Sequence, residues 1–379
     1  TVLVVPGDAP LLTAATLARL VATHEAAGTA ATVLSSIVAD STGYGRVVRG
    51  DGDEVVRVVE HADASPAELA ITEVATAVYA FDHALLSDAV GRLGRDNAQG
   101  EEYLPDVVTI LRADGHRVGV TTASALETAG VNDRVQLAAA HRIYNLRSLE
   151  EHMRNGVTVV DPATTWVDAD VTLDADVTLL PSVDLHGRTH VAVGATIGPQ
   201  VSLTDTAVGA RTRIDRAVAV SARLGADVTV GPFAYLRPGT DLADGVHIGT
   251  FVEVKKSDIG TGSKVPHLSY VGDASIGEHS NIGAATVFVN YDGVEKHRST
   301  IGDHARTGAD NMFVAPVTVG DGAYTAAGSV ITQDVPPGAM AVARATQKNV
   351  KGWVARRRAG TAADLAARAA TEAPQEDAE

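Results

Sequence analysis

The sequence predicts two domains, an α/β domain followed by a left-handed parallel β-helix built from hexapeptide repeats. Three observations support this prediction. Apolar runs alternate with helical patterns over residues 1–133, and aliphatic residues recur every six positions over residues 156–341. Aromatic residues make up only 4% of the chain. This composition suits a thin solenoid, whose interior holds one ring of aliphatic side chains per coil.

The first domain, residues 1–133, begins with an apolar strand at Thr1–Val5 and a helical pattern at Thr13–Ala26. Further strands are predicted at Ala31–Ile37, Val74–Phe81 and Val118–Thr122. The alternation is typical of an α/β domain with a mainly parallel sheet. Apolar positions at helical spacing over residues 134–155 predict a helical linker to the second domain.

In the second domain, hexads run from Val167 to Leu203 and from Leu224 to Val254, and after one-residue slips they continue to Ile331. Each hexad forms one flat side of a triangular prism, and its aliphatic residue points inward. A β-sandwich with chance spacing would not keep the period over such long runs. A glycine often follows the inward residue, and we expect it to turn the corner at backbone dihedral angles that larger residues resist. These glycines are Gly198, Gly225, Gly231, Gly249, Gly260, Gly277, Gly283, Gly302 and Gly320.

Two stretches depart from the hexads. Residues Asn290–Thr300 interrupt them, and an insertion in a solenoid leaves as an external loop, which is usually functional. The repeats stop after Gly338. The tail, residues 342–379, is expected to be partly disordered because it runs into a stretch rich in Ala and Glu.

Composition excludes several classes of function. The net charge of −16 argues against nucleic-acid binding, which depends on clustered Lys and Arg. The lack of Cys excludes disulfides and thiol nucleophiles. No apolar run reaches membrane-spanning length and no signal-peptide pattern opens the chain, so we expect a cytoplasmic protein without membrane insertion. Because the chain starts at Thr1 directly in an apolar strand, we expect upstream residues to be lacking.

Lysine has an unusual distribution. The chain prefers arginine, and its six lysines all lie in the repeat domain and its tail. A retained lysine indicates a need for a compact ammonium group, for example on a phosphate, rather than a planar guanidinium. We favour this functional interpretation for Lys255 and Lys296. For Lys348 and Lys351, solvated surface charge is an equally good interpretation.

Five segments of the repeat domain closely resemble one enzyme family, in the same order. They are Gly231–Gly239 (GPFAYLRPG), Phe251–Lys256 (FVEVKK), Lys264–Asp273 (KVPHLSYVGD), Asn281–Ala284 (NIGA) and Asn290–Gly293 (NYDG). The family is bifunctional, a glucosamine-1-phosphate acetyltransferase joined to an N-acetylglucosamine-1-phosphate uridyltransferase. The resemblance covers essentially the whole chain. It implies a truncated Rossmann-like nucleotidyltransferase domain followed by an acetyltransferase β-helix.

Acetyl transfer needs a base that takes a proton from the attacking amine, and imidazole is suited to this near neutral pH. His267, within the matching motif, is the candidate base. The resemblance assigns the other roles: cations for the sugar phosphate (Arg237, Lys255, Lys296), contacts to the sugar (Glu253, Tyr270, Asn281), the oxyanion and acetyl region (Asn290, Tyr291), and acetyl-CoA contacts (Asn290, Tyr291, Ala309, Ala327, Arg344). The family often has Ser where this chain has Ala309, so we expect weaker acetyl-CoA binding. The resemblance also implies a homotrimer with sites between subunits, and acetyl transfer without a metal.

For the first domain the resemblance implies uridyl transfer from UTP with Mg²⁺. The positions that match are the Mg²⁺ pair (Asp8, Asn132) and the sugar-nucleotide contacts (Gly45, Glu60, and Ala75 in place of a usual Asn). Ala77 stands where the family has Gly. The glycine-rich nucleotide loop of the family is absent from this sequence, and without it nothing cradles the triphosphate. Uridyl transfer is therefore expected of the full-length protein rather than of these residues.

Three alternative functions predict other features in the repeat domain. A sugar nucleotidyltransferase whose β-helix only trimerises would need no base or phosphate-binding lysines on the helix, against His267, Lys255 and Lys296. A zinc carbonic anhydrase of similar shape commonly includes a pair of histidines five residues apart, which this β-helix does not offer. A purely structural solenoid should show flat arrays of Thr or Ser rather than an excursion such as Asn290–Thr300.

Overall fold

The computed structural model describes residues 1–50 and 54–372 and divides the chain into two compact units, Thr1–Glu151 and His152–Glu379. The first unit contains a six-stranded sheet with the strand order β4-β3-β5-β2-β6, and β1 pairs with β5. Its elements are β1 (Val2–Val4), α1 (Ala14–Ala27), β2 (Ala31–Ile37), β3 (Arg46–Arg49), β4 (Val55–Val59), a 3₁₀ turn (His61–Asp63), α2 (Pro66–Leu69), β5 (Glu73–Phe81), α3 (His83–Val90), α4 (Asp106–Ala113), β6 (Val118–Ala123) and α5 (Arg134–Arg154).

The sheet of the first unit is mixed. Among the described residues of this sheet, only β2 and β6 pair in parallel, whereas β5 runs antiparallel to β1, β2 and β3. The prediction of a mainly parallel sheet was therefore wrong. Parallel pairing needs a crossover of a dozen or more residues, usually a helix. The consecutive strands β3 and β4 pair antiparallel, and the five residues between them (50–54) are too few for such a crossover.

The second unit is a three-sided parallel β-helix, which confirms the prediction from the hexads. The first face contains Thr158–Val159, Thr178–Leu179, Thr196–Ile197, Arg213–Ile214, Thr229–Val230, His247–Thr250 and Lys264–His267. The second contains Trp166–Val167, Val183–His186, Val201–Thr204, Ala217–Val220, Ala234–Leu236, Glu253–Lys255, Tyr270–Gly272, Val287–Val289, Met312–Val314 and Val330–Ile331. The third contains Thr172–Leu173, His190–Val191, Ala207–Val208, Arg223–Leu224, Asp241–Leu242, Asp258–Ile259, Ala274–Ile276, Ser299–Ile301 and Thr318–Val319. A further parallel pair joins Tyr324–Thr325 to Met340–Ala341.

The interior of the prism is aliphatic, as expected. Inward residues pair in register from coil to coil, for example Val254 with Val271, and both are fully buried. The hexads found from the sequence left a gap between Leu203 and Leu224. The structure fills this gap with Val208, Ile214 and Ala219, all buried, and the irregular spacing of these residues hid them from a strict period of six.

The glycines after the inward residues have a different role from the one expected. Gly198 and Gly231 do have positive φ angles of 109° and 106°, but the other seven do not. At Gly249 an added Cβ would fall 1.9 Å from the carbonyl oxygen of Pro266 in the next coil. Close approach of neighbouring coils therefore explains these seven glycines, and the expectation of special dihedral angles there was wrong. Left-handed backbone at the corners belongs instead to residues such as Phe233 and Phe251.

Two helices, α6 (Trp353–Arg357) and α7 (Ala362–Glu372), lie in the tail, which was predicted to be partly disordered. Residues 373–379, which also fall under that prediction, lie outside the described residues. Among the described residues, no helix has the length and apolar character needed to cross a membrane.

Candidate active site

A buried ion pair joins two successive coils on the second face of the β-helix. The ammonium group of Lys255 donates to the carboxylate of Asp273 at 2.8 Å, and the two side chains are only 9% and 16% exposed. The amide nitrogen of Asn290, from the coil above, donates to the same carboxylate oxygen. It also lies 3.4 Å from the hydroxyl oxygen of Tyr270. Three coils thus contribute to one polar cluster, which we call the lysine–aspartate cluster (Lys255, Tyr270, Asp273, Asn290 and Lys296).

The charges of the cluster perturb one another. The hydrogen bond to Asp273 raises the pKa of Lys255. Burial alone would raise the pKa of Asp273, but hydrogen bonds from Lys255 and Asn290 outweigh it, and the pKa lies below its usual value. Close contact with the ammonium of Lys255 lowers the pKa of Lys296. Asp273 already pairs with Lys255, and within the described part of the chain the exposed Lys296 has no ion pair of its own.

Gly272 makes room for this arrangement. A Cβ at this position would lie 2.4 Å from the hydroxyl oxygen of Tyr270 and 2.8 Å from the amide nitrogen of Asn290. Gly272 pairs in register with Lys255, so the missing side chain leaves a gap on the outer surface beside the ammonium group. A larger residue would displace the groups that meet there.

A second, more exposed ion pair lies one coil below. Arg237 donates to Glu253 at 2.8 Å, with side chains 40% and 39% exposed, and this bond raises the pKa of Arg237. Glu253 pairs in register with Tyr270. Sugar-contact and phosphate-contact candidates therefore follow one another along the same outer face.

The loop Asn290–Thr300 is external, as predicted, and it is held at both ends. Asp292 accepts backbone hydrogen bonds from Val294 and Glu295 and pairs with His297 at 2.7 Å. Arg298 donates to the hydroxyl of Ser275 at 2.8 Å and to the carbonyl oxygen of Ala274 at 2.9 Å, and it pairs with Asp258. These bonds fasten the loop to the third face.

The first residues of this loop bear on the expected oxyanion donor. Tyr291 and Lys296 form an antiparallel bridge whose hydrogen bonds run through their neighbours, from His297 to Asn290 and from Asp292 to Glu295. In the described part of the chain, the backbone N–H of Tyr291 has no acceptor. The side-chain amide of Asn290 is already engaged by Asp273. The free donor at this position is therefore the backbone of Tyr291.

His267 ends the first-face strand Lys264–His267, just before a corner at Leu268 whose φ is 50°. Its backbone carbonyl accepts from Ser269 and Ala285. Its imidazole is exposed and has no hydrogen-bond partner among the described residues. The corner separates His267 from Tyr270, and in the part of the chain that the structure describes no hydrogen bond or ion pair joins His267 to the lysine–aspartate cluster.

The corner beside His267 carries an apolar ladder of three exposed residues. Phe233 and Phe251 stack with ring centroids 5.4 Å apart, and Leu268 occupies the same corner one coil above. These side chains are 55%, 56% and 60% exposed. Three large apolar groups in a row on a solvent-facing corner form a patch suited to contact with another surface.

The remaining candidates lie away from the cluster. Asn281 continues the first face through backbone bridges to Lys264 and Arg306. Ala309 and Ala327 are exposed and lie on adjacent coils, where Gly328 donates to the carbonyl oxygen of Ala309 at 2.9 Å. The side chain of Arg344 follows on the next coil, 4.0 Å from a Cβ built on Gly328. Ala309, Ala327 and Gly328 thus form a stretch of the outer surface without bulky side chains, which we call the small-residue track, and Arg344 lies at its end.

In the first unit, a cleft of about 350 Å³ brings together several predicted nucleotide contacts. Asp8, Ala75 and Asn132 line it, with Gly43 and Tyr44 opposite. Gly45 adjoins the carboxylate of Glu60, since a Cβ there would lie 3.4 Å from it. Burial raises the pKa of Glu60, with further contributions from nearby Asp106 and Asp63.

Ala77 has a positive φ of 58° beside this cleft. A non-glycine residue in this region carries a cost of about 1 kcal/mol. The position is therefore one that glycine suits, which gives a physical reason for the glycine that the resembling family has there.

Asp273 is the residue that the sequence analysis missed. It closes the quoted segment Lys264–Asp273, yet no role was assigned to it because it holds other side chains rather than a substrate. A signal was available, since Asp273 follows Lys255 by 18 residues and precedes Asn290 by 17, which is about one coil in each case.

Comparisons with known proteins agree with this architecture. Residues 1–165 match the family model described as Nucleotidyl transferase. The chain is 60% identical over 379 residues to the bifunctional protein GlmU of Streptomyces coelicolor, covering 99% of this chain and 79% of that protein. It is 58% identical over 378 residues to the bifunctional protein GlmU of Thermobifida fusca, covering 100% and 78%. It is 55% identical over 367 residues to the bifunctional protein GlmU of Mycolicibacterium vanbaalenii, covering 96% of this chain and 74% of that protein. With identity this high over almost all of its length, the chain belongs to the family of bifunctional GlmU proteins.

Proposed function

We propose that the β-helix acetylates glucosamine-1-phosphate from acetyl-CoA, and that in the full-length protein the first unit serves uridyl transfer from UTP to N-acetylglucosamine-1-phosphate, giving UDP-N-acetylglucosamine and pyrophosphate. The observation that carries the proposal is the lysine–aspartate cluster on the outside of the prism. A solenoid needs no buried ion pair for its own fold, because its interior is already filled by aliphatic rings. The cluster instead gathers cations and amide groups at the surface, where a phosphorylated sugar binds.

In the proposed reaction the sugar amine attacks the thioester carbonyl of acetyl-CoA. His267 takes the amine proton as the C–N bond forms, and when the C–S bond breaks it returns that proton to the departing sulfur, which leaves as the thiol of CoA. An exposed imidazole that has no hydrogen-bond partner among the described residues has a ring nitrogen free to accept that proton. The negative charge that develops on the carbonyl oxygen is stabilised by the unpaired backbone N–H of Tyr291.

Binding of the sugar phosphate follows from the charges. Lys296, with no counter-ion of its own, supplies the main attraction for the phosphate, and Lys255 contributes while remaining paired to Asp273. Arg237 adds a third cation. Glu253 and Tyr270 hold the sugar hydroxyls, together with Asn281. Asn290 helps to position the acetyl group.

The small-residue track receives acetyl-CoA. Ala309 and Ala327 present exposed surface without bulky side chains, and Arg344 adds a cation at the end of the track. Because Ala309 lacks a hydroxyl, one hydrogen bond to acetyl-CoA is missing, and a Ser at this position should lower the KM for acetyl-CoA.

The active form is proposed to be a homotrimer. His267 and Asn281 lie on the first face and the cluster on the second, and among the described residues no side-chain hydrogen bond joins the three. A neighbouring copy packed on the apolar ladder of Phe233, Phe251 and Leu268 would bury those side chains next to His267. The site would then be assembled from residues of adjacent subunits.

In the first unit, Asp8 and Asn132 offer a carboxylate and an amide oxygen on one wall of the cleft. Hard oxygen ligands of this kind, completed by phosphate oxygens and water, are what Mg²⁺ prefers. Bound there, Mg²⁺ would neutralise charge on the phosphates of the nucleotide. Glu60 and Gly45 lie next to each other where the sugar nucleotide is proposed to bind. The methyl side chain of Ala75 offers no polar group where the family has an Asn. Pyrophosphate release from UTP, compared between the full-length protein and its Asp8→Ala variant, tests this half.

Thiol release from acetyl-CoA in the presence of glucosamine-1-phosphate tests the acetyltransferase. The chain should turn over, and His267→Ala should lose at least about 100-fold in kcat, the range general-base catalysis supplies. His190→Ala, an exposed histidine on an early coil, is the matched control and should be as active as the parent. No turnover by the parent chain, or full activity in His267→Ala, would favour the alternative in which the β-helix only trimerises a nucleotidyltransferase.

A further inference from the structure

Asp273 sits where three coils meet. Its backbone N–H donates to the carbonyl oxygen of Lys255 at 3.0 Å, which fixes it to the coil below. Its φ of 50° turns the chain at the corner after Tyr270–Gly272. The carboxylate is thereby aimed back at the second face, where it accepts from both Lys255 and Asn290. Its position is set by the backbone rather than by a flexible stem.

The contacts of Asp273 fix the orientation of Asn290. Only the nitrogen of a carboxamide can donate to a carboxylate, so the bond to Asp273 determines which way the amide of Asn290 faces. The same nitrogen reaches the hydroxyl of Tyr270 at 3.4 Å, which uses its second hydrogen. The start of the external loop, with the backbone N–H of Tyr291, is held in place through this residue.

The contacts also set the local charge. Lys255 and Lys296 are close enough for each to affect the pKa of the other, and two adjacent ammonium groups repel. Asp273 cancels one of them. It therefore keeps two lysines together before any phosphate has bound.

We propose that Asp273 is a positioning residue for acetyl transfer, which holds Lys255 and Asn290 in place without touching the substrate; this rests on the acetyltransferase function proposed above. Its removal has two separable consequences. The loss of a negative charge beside the phosphate site strengthens the attraction for the sugar phosphate. The release of Asn290 and the adjoining Tyr291 disorders the groups that stabilise the transition state.

The test is Asp273→Asn, which keeps the shape of the side chain and removes its charge. We expect kcat to fall about 10- to 100-fold, the cost of misplacing groups by about 1 Å, while the KM for glucosamine-1-phosphate stays the same or falls. A residue with only a structural role would lower the amount of folded enzyme, and kcat corrected for the folded fraction would then equal that of the parent. Asp227→Asn, which breaks the exposed pair with Arg211, is the matched control and should keep both parameters.

A second variant keeps the test valid if Asp273→Asn folds poorly. Lys255→Met combined with Asp273→Asn removes both partners of the buried pair, which costs far less stability than removing one. The double variant should fold and still show the fall in kcat, because Asn290 remains unheld. Wild-type kcat in either variant, a rise in KM in Asp273→Asn, or activity losses that follow the folded fraction in both would overturn the proposal. Failure of the parent chain to acetylate glucosamine-1-phosphate would instead refute the proposed function itself.

Discussion

The two lysines expected to bind phosphate should differ in what their loss costs. Lys255 is buried and lies 2.8 Å from Asp273, whereas Lys296 is exposed and its charge is opposed by its neighbour. At 2.8 Å and an effective dielectric constant of about 20, the Lys255–Asp273 attraction is worth about 6 kcal/mol. Most of it offsets desolvation, and breaking such a pair from one side costs about 3–5 kcal/mol.

Lys255→Met should therefore lower the free energy of unfolding by about 2–3 kcal/mol. This is at or below the lower limit of the range for a broken pair, because Asn290 and Lys296 can still interact with the carboxylate of Asp273. Lys296→Met should change stability by less than about 0.5 kcal/mol, and it should raise the KM for glucosamine-1-phosphate about tenfold, the worth of one charge-assisted hydrogen bond.

Urea denaturation followed by circular dichroism, at fixed protein concentration, measures the first effect, and steady-state kinetics measures the second. Arg211→Met, which breaks an exposed pair with Asp227, is the control and should cost no more than about 1 kcal/mol. Equal denaturation midpoints for Lys255→Met and Lys296→Met would refute the distinction between a structural and a free cation.

Three further predictions concern the coils and the loop. Gly249→Ala should cost about 3 kcal/mol in denaturation, because its Cβ would meet the carbonyl oxygen of Pro266 at 1.9 Å; Gly94→Ala, with nothing within 4 Å, should be neutral, and equal effects would contradict the close-approach explanation. Arg298→Ala should free the external loop, raising the KM for the sugar phosphate about 3- to 10-fold and exposing the loop to limited proteolysis; unchanged proteolysis would count against the anchor. The pKa of Lys296 is lowered, so this side chain loses its charge at a lower pH than an ordinary lysine, and kcat/KM for the sugar phosphate should begin to fall at that lower pH. Because Lys255 causes the shift, Lys255→Met should move the fall in kcat/KM to higher pH.

Much of the β-helix could be predicted from the sequence, because a period of six fixes both the fold and the inward residues. Val254 and Val271 are examples whose burial follows directly from their spacing. The stretch from Val208 to Ala219 was missed because its inward residues, Val208, Ile214 and Ala219, are six and then five positions apart, so the period of six does not persist. In the first unit, the direction of β5 could not be predicted, since alternation of strands and helices does not fix whether neighbouring strands run parallel.

The site was only partly predictable for a different reason. Resemblance identifies residues that touch substrates, and it brought forward Lys255, Lys296 and Asn290. It gave no role to Asp273, whose function is to hold two of these in place. Nor could it reveal that the amide of Asn290 already donates to Asp273, which leaves the backbone N–H of Tyr291 as the unpaired donor at this position among the described residues. Hydrogen bonds of this kind depend on which side chains become neighbours on adjacent coils of the folded prism.

Coil spacing makes that relation accessible in a solenoid. Parallel strands stack about 4.8 Å apart, so residues one coil apart in sequence are neighbours in space. Glu253 pairs with Tyr270 and Ile259 with Ile276 at 17 residues, and Asn290 reaches Asp273 at the same interval. Ile276 pairs with Ile301 at 25 residues, so the extra eight (25 − 17) leave the prism as the external loop without disturbing the register. The insertion can therefore bring Lys296 to Lys255 across more than one coil while the ladder beneath it stays intact, which is why a rigid repeat can carry a site whose residues come from several coils.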